Sequence, residues 1–92
     1  MSVFLVTWNL NKEGSAYNVA RQRLIDKLNE YPNVHDSRLD TVWFVESGFA
    51  ASAVSADIRT KLDDNDRLFV TQLHKGYHAG WISKTVWNWI NA

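Results

Sequence analysis

The sequence predicts an α+β domain built on a four-stranded antiparallel sheet. Three observations carry that expectation. Apolar residues alternate along segments rich in β-branched and aromatic types, apolar residues recur every three or four positions along two other segments, and the two kinds interleave as strand, helix, strand, strand, helix, strand. A short helix closes the order. At 92 residues the chain is large enough for one core, and no repeat, low-complexity run or Pro-rich linker divides it, so residues 1–92 read as a single domain.

Residues 2–9 form the first predicted strand, with Val3 and Leu5 alternating against Phe4, Val6 and Trp8. Gly14-Ser15 breaks the chain and offers Ser15 as an N-cap. From 16 to 31, Ala16, Ala20, Leu24, Leu28 and Tyr31 recur at spacings of four and three, which describes an amphipathic helix with one buried stripe. Pro32-Asn33 ends it. Val34 to Arg38 reads as a short polar edge strand leading to a tight connection at Leu39-Asp40, and Thr41 to Val45 is a strong apolar strand ending before Gly48. Val54, Ile58 and Leu62 mark a second helix capped by Ser52 or Ser55. Asp63 to Asp66 turns into a last strand, Arg67 to Leu73. After a glycine-flanked loop, Ser83 caps a terminal helix carrying Ile82, Val86, Trp89 and Ile90 on one side. This order is the split βαβ pattern of a ferredoxin-like βαββαβ fold, in which right-handed crossovers put both main helices on one sheet face and the first and third strands in the middle.

Two helices cover one face of such a sheet, yet the strands are apolar on both. A bare aromatic face larger than roughly 300 to 600 Å² is unusual in a monomer. A two-fold homodimer is therefore expected, with Phe4, Trp8, Phe44 and Phe69 as its interface residues.

Ten basic and ten acidic residues give zero formal net charge, which argues against a binder of bulk nucleic acid, since that binding rests on clustered Lys and Arg. A local patch remains compatible with it. The glycine-flanked loop offers Lys75, Tyr77, Trp81 and Lys84 as a basic and aromatic surface for single-stranded nucleic acid or a protein partner. With no cysteine, there is no thiolate metal site or disulfide, and a reducing cytoplasm is the economical expectation. The apolar start is too short for a membrane span and no membrane partner is expected. His74 and His78 have the spacing of a helical zinc pair, but Gly76 and Gly80 argue against a helix there. Asp63, Asp64 and Asp66 lack the glycine and glutamate of a calcium loop and read as a solvated turn. No metal site and no cofactor are expected from these groups. Gly-rich phosphate loops and serine nucleophile elbows are absent, which makes a conventional metabolic enzyme a poor reading.

Three segments carry a family resemblance. The first strand running into Leu10-Asn11-Lys12-x-Gly14-x-x-Tyr17, the stretch Ile58-Arg59-x-x-Leu62-Asp63-x-Asn65-Asp66-Arg67-Leu68-Phe69-Val70, and the end Gly80-Trp81-Ile82-Ser83-Lys84-x-x-Trp87-x-Trp89-Ile90 resemble small SinR-like bacterial and phage proteins. Those are similar in turn to the Cas-two subunit of CRISPR adaptation complexes and to virulence-associated protein D. The resemblance implies a ferredoxin-like homodimer whose sheets face each other. In nuclease members an aspartate ends the first strand, and the two copies share a divalent ion. Here the matching residue is Asn9, in Trp8-Asn9-Leu10. An amide brings no charge to magnesium or manganese, so activation of a bound water is weakened. The expectation is a catalytically silent homodimeric binding or scaffold protein. Its alternative is a weak metal-dependent endonuclease using Mg2+ or Mn2+, with Glu46 at the end of the third strand joining Asn9 near a shared centre.

Overall fold

The computed structural model describes all 92 residues. It is an α+β domain whose elements run β1 (Ser2–Asn9), α1 (Gly14–Leu28), β2 (Asn33–Val34), β3 (Val42–Ser47), α2 (Ala51–Arg59), β4 (Arg67–Gln72) and α3 (Lys84–Ile90). The sheet is ordered β2-β3-β1-β4 and every neighbouring pair is antiparallel, so β1 and β3 are central as expected. No helix is long and apolar enough to cross a membrane.

Strand parity decides which residues meet which helices. The register sets Phe4 opposite Val45, Val6 opposite Trp43 and Val70, and Trp8 opposite Leu68, so these side chains share one face. They pack against Leu24 and Leu28 of α1 and Val54 and Ile58 of α2. Each of those four helical side chains is almost wholly buried, which stabilises the domain by about 1.5 to 3 kcal/mol apiece. Phe4 and Trp8 are therefore core residues beneath two helices. Neither is available to a dimer interface, contrary to the expectation from the strand pattern.

The other face is not bare either. α3 folds back across it and buries Val86 and Ile90 against Phe44, with Val3, Leu5, Val34, Val42 and Leu73 around them. The apolar stripe of the terminal helix thus covers what was assigned to a second copy. Phe44 is withdrawn from the expected interface, and sheets could face each other here only if α3 left. Of the four proposed interface residues, Phe69 alone stays exposed, at 63%.

Several boundaries moved for local reasons. α1 starts at Gly14, ahead of Ser15, with Glu13 as its extended N-cap without a side-chain hydrogen bond; Gly14 itself takes φ 58°, a left-handed conformation that glycine adopts freely and that turns the chain into the helix. The helix unwinds after Leu28 because Tyr31 precedes Pro32 and is disfavoured in helical geometry. β2 stops at Val34 instead of running to Arg38: the His35 ring stacks on Trp43 at 4.1 Å, and Asp36 folds the next residues into a turn by accepting the Arg38 N–H. α2 starts at Ala51 after Ala50, without the cap expected from Ser52 or Ser55. Ser83 does cap α3, its Oγ accepting the Val86 N–H at 3.4 Å.

Candidate binding surface

The β4–α3 loop carries the most exposed aromatic groups of the chain. His74 accepts the Tyr77 N–H at its carbonyl, and Gly76 sits between them at φ 84°, the third position of a type II turn that needs a positive φ. That turn holds Lys75 and Tyr77 out in water, with Tyr77 89% exposed. Trp81 is fully exposed at 100%, and Lys84 is exposed at the start of α3. Trp81 and Arg38 line one groove, together with Leu39 and Ile82.

Asp36 builds that groove. Its carboxylate accepts the backbone N–H of Arg38 at 2.9 Å and of Ser83 at 2.7 Å, tying the β2–β3 connection to the start of α3 across 47 residues of sequence. The Arg38 and Ser83 amides hold the Asp36 carboxyl below its ordinary value of 3.8. Sequence reading missed both Asp36 and Arg38. The available signal was the Asp-x-Arg spacing, since an Asp that accepts the amide two residues on makes a local turn rather than a strand.

Asn9 stands at the exposed end of β1, opposite Arg67. Thr7 and Phe69 are paired beside it, so Asn9, Thr7, Arg67 and Phe69 form an open corner on the sheet face that α3 covers elsewhere. Glu46 is not part of it. Its register partner is Val3, six residues along β1 from Asn9, a separation of about 20 Å at strand rise. A centre shared by Asn9 and Glu46 of one chain is ruled out by that register, because neighbouring strands bring only opposed positions together.

The other polar clusters are structural in form. His78 stacks on Trp87 at 5.8 Å while His74 is exposed, and no three His, Asp or Glu side chains gather as a metal-holding group. Asp66 is not a solvated turn residue: its side chain is 1% exposed and accepts from Lys12 Nζ at 2.7 and 2.9 Å, from the Asn11 N–H at 3.0 Å and from the Asp63 N–H at 2.9 Å. Burial raises its pKa, but Lys12 and the two amides overcome that and leave it lowered. Asp57 accepts from Lys27 at 2.8 Å and from the Tyr31 hydroxyl, which lowers the Asp57 pKa; burial, and then the hydrogen bond to Asp57, raise that of Tyr31. These contacts fasten α1 to α2.

No protein-family model, curated protein or solved structure matches the chain. The functional reading therefore rests on the surface itself.

Proposed function

We propose that this chain acts by binding: a homodimeric scaffold of ferredoxin-like build, SinR-like or Cas-two-like and catalytically silent, that presents the Trp81 loop to single-stranded nucleic acid. The observation that carries the reading is Trp81, a fully exposed indole in a groove with Arg38. Leaving so large an apolar ring in water has no packing benefit. A base has a π-face that the indole can stack on, and each such stack contributes about 1 to 3 kcal/mol. Arg38, Lys75 and Lys84 are exposed and supply the phosphate contacts. The strand order with β1 and β3 central supports the ferredoxin-like description. Asn9 in place of a carboxylate, distant from Glu46, supports silence.

Trp81→Ala tests this reading. It should weaken single-strand binding by about 1 to 3 kcal/mol, with little effect on duplex affinity. The melting temperature should not move, because the ring packs on nothing; Trp87, half-buried against His78, is the tryptophan whose loss would destabilise α3. Three phosphate contacts give an expected salt slope of about 2 on single strands. If the folded parent binds no single strand in low salt, the nucleic-acid reading fails and a protein partner takes its place.

Cleavage provides a separate check. Purified protein should leave RNA and DNA intact in magnesium or manganese, and EDTA should change nothing. Metal-dependent cleavage that copurifies with the protein and is lost in Asn9→Ala would reverse the assignment.

A further inference from the structure

We infer that two copies of this chain join edge to edge through antiparallel pairing of β4, with Val70 on the two-fold axis. The inference rests on the homodimer reading above and specifies its interface. The sheet has two edges, and they differ. β2 offers two residues directly after Pro32, a blunted edge. β4 offers six, without a proline or a lysine, and β1 is its sole strand partner.

Backbone parity then selects the register. The Leu73 N–H donates to the Val3 carbonyl at 2.8 Å, so Leu73, and with it Thr71, Phe69 and Arg67, direct their backbone groups toward β1. Leu68, Val70 and Gln72 direct theirs outward. An antiparallel mate related by a two-fold axis through Val70 sets Leu68 opposite Gln72 and Val70 opposite its own copy. Every outward N–H and C=O of these three residues then finds a partner, in about six interchain hydrogen bonds. An axis through Phe69 leaves Gln72 unpaired and makes about four.

Side chains agree with this choice. Phe69, 63% exposed, lies across from Thr71 of the second copy and diagonal to that copy's phenyl ring, within reach of an aromatic contact. Charge agrees as well. Asp63 and Asp64, paired within their own chain to Lys12 and Arg59, precede β4 while Lys75 follows it, so antiparallel pairing brings the lysine of one copy toward the carboxylates of the other. Zero net charge leaves no overall repulsion between copies.

Amide hydrogen exchange measured across a concentration series reads the register residue by residue. The N–H groups of Phe69 and Thr71 should be protected at every concentration, because they bond to β1. Those of Leu68, Val70 and Gln72 should become protected only as light scattering reports the dimer. Gln72→Pro, at an exposed position where an edge strand tolerates proline, should give a folded monomer at concentrations where the parent is dimeric. Phe69→Lys, at a second exposed site, should do the same if the proline variant fails to fold. A dimer whose Leu68, Val70 and Gln72 amides still exchange freely overturns the β4 interface and leaves the homodimer reading standing. A parent that stays monomeric at roughly tens of micromolar overturns both.

Discussion

Asp66→Ala should lower the stability of the domain by about 3 kcal/mol, a large share of the roughly 5 to 15 kcal/mol that holds a domain folded. The substitution removes one carboxylate but strands three donors: Lys12 Nζ and the backbone N–H groups of Asn11 and Asp63. Breaking a fully buried ion pair costs about 3 to 5 kcal/mol. The lower end applies, because Lys12 keeps some access to water and a second partner in Asp63 at 3.1 Å. For a chain of this size the melting temperature should fall by roughly 15 °C, measurable by circular dichroism. A variant that melts with the parent would mean that the Asp66 contacts are not formed in solution.

The same residue sets the acid limit. The folded pKa values of Asp66, Asp57 and Asp36 lie below 3.8, so as pH falls the unfolded chain takes up protons before the folded one does. Their contribution is complete above about pH 4 and is lost as pH drops through the folded values. The parent should therefore lose stability steeply below pH 4. In Asp66→Asn, which cannot ionise, that limb should be shallower. An unchanged acid limb in the variant would remove Asp66 from the account.

Asp66 also marks what periodicity can and cannot reveal. The Val54-Ile58 spacing and the Phe4-Val6-Trp8 parity are local patterns, and each appears in the structure as a buried stripe or face. Lys12 and Asp66 are 54 residues apart, and nothing local distinguishes an aspartate that turns inward from its exposed neighbour Asp64. Together they fasten the start of α1 to the turn before β4. The groove shows the same division. Trp81 was legible as an aromatic in a glycine-flanked loop, whereas Arg38 reached it through a turn made by Asp36, which the β-like reading of 34–38 concealed. For α3 the stripe was readable but its target was not, because the surface it covers is assembled from β1, β2 and β3.

Val86→Asp puts that last assignment under the greatest stress, with an expected loss of about 6 kcal/mol at pH 7. Val86 is 1% exposed beneath α3, facing Phe44 and its neighbours. Keeping the helix docked requires the new carboxyl to stay protonated, which costs about 4 kcal/mol at neutral pH, and lost packing adds about 2. Undocking α3 instead avoids the buried charge but forfeits Val86 and Ile90, about 1.5 to 3 kcal/mol each, along with part of Trp87 and Trp89. The two routes cost similar amounts, so pH decides between them. As pH falls from 7 to 5, protonation becomes easier in the docked state and about 2.7 kcal/mol should return, opposite in direction to the parent's acid loss. At pH 7 the undocked form should expose Val3, Leu5 and Phe44 and bind a hydrophobic dye, while Val86→Thr, close in shape and uncharged, should lose only about 1 to 3 kcal/mol. If Val86→Asp neither binds dye nor loses stability at pH 7, α3 does not rest on the sheet, and the face it leaves would again be open to a second copy.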